Sequence, residues 1–248
     1  MRDPLTCAAR THTGLVRPKN EDCFAILNQD GAFPTAFILA DGMGGHRRGD
    51  LASRIAVDYV SERLKQELTV TRSISDLSRQ LADTIEKANV KVYLGSLSHE
   101  QSLGMGTTLT LAVLLQDHIL IAHVGDCRAW LLHANELHQL TVDHTLVQEM
   151  VNSGSLSEAE TYQHPRRNVL TRALGVPEYL QPDILTIPVQ HGDRFLVSSD
   201  GLHGLVDAQA IRSAMKRDKT PDELVETLVN LALEAGGDDN ITVLAAYL

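Results

Sequence analysis

What most narrows the fold of this chain is the length of its apolar runs, which are strand-sized and recur along the whole sequence. Phe37-Ile38-Leu39-Ala40 and Ala112 to Leu115 are about four residues each; Asp41-Gly42 closes the first and Gln116-Asp117 the second. Runs this short suit buried strands, and a membrane-spanning helix would need roughly 20 apolar residues. Strands are predicted at 6–13, 23–28, 35–40, 107–116, 119–124, 129–132, 137–140, 184–189, 194–198 and 241–247. The pair at 129–140 would turn at Ala134-Asn135. Only three long helical patterns interrupt them. Ala52, Ile55, Ala56, Tyr59, Val60 and Leu64 recur at three and four over 49–67, and Leu77, Leu81, Ile85, Ala88 and Val92 do so in a second helix. A third, over 221–235, has Thr220 as N-cap, Pro221 and Glu223 in its first turn and Gly236 past its end. Strands so outnumber possible βαβ crossovers that a doubly wound parallel sheet is excluded in favour of a mostly antiparallel sandwich with helices outside.

At 248 residues and 43% apolar, the chain can bury the core of one large domain or two small ones. No linker or repeat divides it, and a single domain over 1–248 is expected. Residues 141–165 differ in character. Leu146, Val147, Met150 and Val151 make a short helical face, Gly154 sits where a helix would stop, and Ser157-x-x-Glu160 reads as a capping box. This segment is read as a small helical insert. The formal charge of −10 argues against a nucleic-acid partner, which would want a basic face. The opening residues form no apolar leader segment, and three widely spaced cysteines suit a reducing compartment, so a cytoplasmic protein without disulfides is expected.

Several phosphate and nucleophile motifs are missing. No glycine precedes a lysine as in a P-loop, no G-x-S-x-G occurs, and no cysteine has an arginine six positions on, as the phosphate-cradling loop of cysteine phosphatases requires. What recurs instead is aspartate beside glycine or asparagine at a strand end: Asp41-Gly42, Gly125-Asp126, Asp200-Gly201 and Asp239-Asn240. One such pair is an ordinary turn. Four at the ends of strong strands suggest an all-oxygen site for a hard divalent cation.

The chain also resembles a known family. Thr13-Gly14-Leu15-Val16-Arg17-Pro18-Lys19-Asn20-Glu21-Asp22 is similar to the opening motif of the metal-dependent PP2C-type protein phosphatases. In the same order follow 40–46 (Ala-Asp-Gly-Met-Gly-Gly-His), 104–109, 123–128, 140–144, 168–175, 198–202 and 237–243. Each match is weak alone; eight in order, spanning about residue 10 onward, are specific. The resemblance implies an α+β fold, a four-layer αββα sandwich of two mostly antiparallel sheets, with 141–165 as a flap beside the site. It implies a hydrolase acting on phosphoserine and phosphothreonine, in which water activated by two Mn²⁺ or Mg²⁺ ions attacks phosphorus in line. Asp41 would bridge the ions, with the Gly42 carbonyl, Asp200 and Asp239 as further ligands. Glu21 or Asp22 would act through water, and Asp126 with Asp200 would serve a third ion. Arg17 would grip the phosphate. Where eukaryotic members carry a histidine after Asp-Gly, this chain has Met43, so His46 is the nearest candidate general acid. His144 and His164 are read as structural. The short form resembles stand-alone bacterial members, which implies phosphoprotein substrates, an opposing Ser/Thr kinase and a monomer. Two alternatives stay open: a catalytically inactive phosphatase-like binding module, and a two-metal hydrolase of small phosphoesters.

Overall fold

The structure, a computed structural model, describes residues 5–28, 33–43, 48–68, 73–98, 100–161, 163–177 and 179–248. The strands are β1 (Thr6–His12), β2 (Asp22–Leu27), β3 (Thr35–Met43), β4 (Gly106–Thr107), β5 (Leu109–Leu114) and β6 (His118–Val124), then β7 (Arg128–His133), β8 (Glu136–Gln139), β9 (Asp183–Pro188), β10 (Arg194–Ser198) and β11 (Ile241–Tyr247). One sheet runs β1-β11-β10-β7-β8, the other β2-β3-β5-β6-β9, with β4 pairing β3. Every strand pairing is antiparallel.

Period-two alternation explains why the strands read as unbroken apolar runs. On β3, Ala36, Ile38 and Ala40 face one core, while Phe37 and Leu39 face another. On β11, Ile241, Val243 and Ala245 split from Leu244 and Ala246 in the same way. The shared core lies between the sheets, where Phe37 and Phe195 meet edge to face at 6.1 Å. The outer faces are covered by α1 (Gly49–Glu67) and α2 (Ile74–Ser96) on one side. On the other lie α6 (Ala208–Arg217) and α7 (Pro221–Glu234). The result is the expected four-layer αββα sandwich.

Local signals hold where they were strong. Thr220 and Glu223 complete a reciprocal capping box on α7. Ala134 and Asn135 both adopt positive φ between β7 and β8. The insert carries α3 (Leu146–Asn152) and α4 (Glu158–Thr161), with Gly154 at φ +73° after the first. At α4 the expected capping box is half made: the Glu160 carboxylate accepts from both the Ser157 amide and hydroxyl, while the Glu160 amide donates to the Ser157 carbonyl instead of the hydroxyl.

Three features depart from the sequence reading. Helix α6 was not anticipated, although Ile211, Ala214 and Met215 recur at three and four and Asp207 caps it through the Ala210 amide. A single turn, α5 (Asp200–His203), follows β10 directly. Strand β3 also runs past Ala40 to Met43, because Gly42 and Met43 pair with Thr107 and Gly106 of β4. Asp41-Gly42 therefore lies inside a strand instead of in a turn after it.

Candidate metal centre

Antiparallel pairing brings the acids together at one end of the sandwich. Asp22 and Asp41 are direct cross-strand neighbours on β2 and β3. Asp126 follows β6, Asp200 opens α5 and Asp239 stands just before β11. Asp41, Asp126, Asp200, Asp239 and Glu21 line one pocket of about 260 Å³, together with Arg17, Gly42, Met43, Thr108, Asn168, Leu170 and Asn240. Arg17 is the only cation among the described residues lining it.

Backbone contacts hold the floor rigid. The Asp41 amide donates to Thr108 Oγ1 at 2.9 Å, and its carbonyl accepts from the Thr107 hydroxyl at 2.8 Å and the Thr108 amide at 2.9 Å. Gly42 lies against Gly49 at the start of α1. A Cβ on Gly42 would collide with the Gly49 carbonyl, so strand end and helix start meet backbone to backbone. Asn240, 5% exposed, sews the two chain ends together. Its Nδ2 donates to the Thr13 and Lys19 carbonyls at 2.8 and 2.9 Å, and its Oδ1 accepts from the Glu21 amide at 2.8 Å.

The electrostatics are those of acids crowded without cations. Burial, then Asp22 and Asp200, pushes the Asp41 carboxyl well above the usual range. Burial and Asp200 do the same to Asp126. Asp200 rises to about 6 through burial and Asp239. Asp22 rises to about 7 through burial, although the Ser199 and Thr242 hydroxyls donate to its Oδ2 at 2.8 and 2.6 Å. Its other oxygen, Oδ1, is buried without a hydrogen-bond partner. Glu21 is raised by burial and by Asp50. An orphaned buried carboxylate oxygen and a ring of mutually repelling oxygens fit hard divalent cations such as Mg²⁺ or Mn²⁺. Among the described residues no three His, Cys, Asp or Glu side chains form a ready ligand set. Asp239 instead takes the Arg17 guanidinium at 2.6 Å.

Of the residues singled out from sequence, Glu21, Asp41, Gly42, Asp126, Asp200, Asp239 and Arg17 share the pocket. Asp22 lies behind it, against β10 and β11. Asp238 is exposed. His46 lies outside the described residues. His144 holds backbone: its Nδ1 accepts from the Gly125 amide at 3.0 Å, and its own amide donates to the Gly125 carbonyl at 2.7 Å. His164 Nδ1 accepts from the Arg166 amide at 3.2 Å. The sequence reading missed Asn168, Leu170, Thr108 and the role of Asn240. The first two lie beyond the expected end of the insert at 165, yet reach the pocket. Their signal was membership of the motifs at 168–175, 104–109 and 237–243.

A model of the family described as protein phosphatase 2C matches residues 12–235. The chain is 40% identical over 235 residues to the serine/threonine phosphatase stp of Listeria monocytogenes, covering 95% of this chain and 92% of that one. It superposes on the Streptococcus agalactiae serine/threonine phosphatase with a TM-score of 0.90 at 34% identity, covering 98% and 99% of the two chains. The catalytic domain of the phosphatase PstP, solved in complex with two manganese ions, matches with a TM-score of 0.84 at 32% identity, covering 98% of this chain and 97% of that one. With the motifs, the sandwich and the acid pocket in agreement, the chain belongs to the protein phosphatase 2C family.

Proposed function

We propose that this enzyme hydrolyses phosphoserine and phosphothreonine in proteins at the acid pocket, with two Mn²⁺ or Mg²⁺ ions held by Asp41, the Gly42 carbonyl, Asp200 and Asp239. The observation that carries this reading is five acids lining one pocket around a single arginine. Bound there, such ions would lower the pKa of water and offset charge on the phosphoryl oxygens. Arg17 supplies the complementary grip: its guanidinium now donates one bond, from Nη2 to Asp239, and its planar fork can pair with two phosphate oxygens. Glu21, in the pocket wall, would act through water, and Asp22 would steady β2 against β10 and β11 through its two hydroxyl contacts. Asp126 and Asp200 also line the neighbouring pocket beneath α3 and α4, which supports a third ion between them. All these groups come from one chain, which supports activity as a monomer. An opposing Ser/Thr kinase would make its substrates. The three cysteines are free, which suits a cytoplasmic enzyme.

The test is metal-dependent turnover. After EDTA treatment, p-nitrophenyl phosphate and a phosphothreonine peptide are assayed with and without Mn²⁺. Activity on both that returns with Mn²⁺ is expected. Inactivity in every metal would leave the binding-module reading, and preference for a small ester or diester over the peptide would favour the small-phosphoester reading.

A further inference from the structure

Leu15 and Val16 are each 66% exposed, more than any other large apolar side chain among the described residues except Tyr179. They are consecutive, and the next residue is Arg17, the pocket's cation. Their exposure is not that of a loose loop. The Leu15 amide donates to the Gly237 carbonyl at 2.7 Å, and Gly14 takes φ +83° directly against the Asp239 carbonyl, where any Cβ would collide. Arg17 then folds back onto the Asp239 side chain. The loop is thus fastened on both sides to the 237–239 segment, with its two apolar side chains held out to water at the apex. A fixed ledge of this kind loses little freedom on being covered.

We propose that Leu15 and Val16 form a docking ledge for a large apolar residue of the substrate, one or two positions from the phosphorylated serine or threonine. The ledge is continuous with the pocket. Leu15 stands two positions before Arg17, about 7.6 Å at most between Cα atoms. An extended peptide advances about 3.3 Å per residue, so a phosphate at Arg17 brings a neighbouring side chain within that span. A second stretch of the pocket lining repeats the pattern: Val169, 44% exposed, sits between the pocket-lining Asn168 and Leu170. The phosphate itself is read by charge, so apolar contacts beside it are what can separate one phosphosite from another. This inference deepens the phosphatase reading and rests on it.

The test uses the Mn²⁺-loaded protein and phosphothreonine peptides that differ only in Leu, Ser or Asp beside the phosphothreonine on either side. A Leu peptide is expected to exceed its Ser counterpart about tenfold in kcat/KM, and the Leu15→Ser/Val16→Ser double variant to erase that ratio. Val16→Ser alone replaces it if the double variant does not fold by circular dichroism. Equal kcat/KM for the Leu and Ser peptides with the unaltered protein, or a preference surviving in the variant, would overturn the ledge. So would sedimentation showing a dimer that the variant abolishes while peptide preference stays, since the ledge would then be an interface between copies. If no phosphothreonine peptide is hydrolysed at all while p-nitrophenyl phosphate is, the protein-phosphatase reading falls first.

Discussion

At the base of the insert, each acid meets a cation. Arg128 grips Asp143 through Nε and Nη2 at 2.7–2.9 Å, both side chains largely buried. Arg172 and His144 meet Asp183 at 2.8 and 3.1 Å. Burial alone would raise the Asp183 carboxyl, but its bonds to His144 and Arg172 outweigh that and hold it below its ordinary value. In the adjoining acid pocket, burial and then neighbouring carboxylates raise all three of Asp41, Asp126 and Asp200. The two regions touch, since Asp126, Asp143 and Asp200 line the same second pocket. One uses charge to hold the flap to the sheet; the other crowds carboxyls where, on the proposed reading, divalent cations bind. Stability and function draw on the same residue type in opposite arrangements.

The sharpest way to break the contrast is to neutralise one acid in each region. Asp41→Asn should lower Mn²⁺-dependent turnover of p-nitrophenyl phosphate by at least about 1000-fold. In EDTA the same variant should melt higher than the unaltered protein, because a repelled buried carboxyl is gone. Asp143→Ala should do the reverse, lowering stability to urea by about 2 kcal/mol by breaking the largely buried Arg128–Asp143 pair. Equal destabilisation by both would erase the distinction.

A subtler separation comes from pH. The folded-state value of Asp22, about 7, lies above that of an unfolded aspartate, so the folded state holds its proton longer. Between about pH 4 and 7 the unfolded chain has already released it, and Asp22 then makes metal-free stability fall as pH rises. His123 runs the other way: burial, then His144, lowers it to about 3, so below about pH 6.5 the unfolded chain binds the extra proton and stability falls as pH drops. In EDTA, the gain in melting temperature from Asp22→Asn should therefore grow from pH 4 to 7. A gain independent of pH would show that the carboxyl is charged throughout.

The strands and long helices were legible because their signals are local: alternation on β3 and β11, and three-and-four spacing on α1 and α2. The aspartates at strand ends were legible as well, because each stands where an apolar run stops. Their convergence was not, since it depends on which strands pair. Asp22 faces Asp41 only through the β2–β3 register, and it reaches Ser199 and Thr242 only because β10 and β11 are neighbours in the other sheet. Periodicity says nothing of such partners, and the family resemblance had to supply them. Asn168 and Leu170 escaped for the same reason: a loop's path over a pocket leaves no period in the sequence. Helix α6 is different, because its Asp207 cap and Ile211, Ala214 and Met215 were all present to be read.

Strand β11 lies between β1 and β10, and the Asn240 that precedes it ties down the segment carrying Arg17 and Glu21. Chain order and spatial order therefore run against each other: the first strand waits for residue 247 before it has a neighbour in its own sheet. A ribosome-bound fragment ending at residue 235 would hold Asp41, Asp126 and Asp200 but neither Asp239 nor the clasp on the Arg17 loop. On the proposed reading, a nascent chain therefore completes its acid pocket only once β11 has been made and has paired with both β1 and β10.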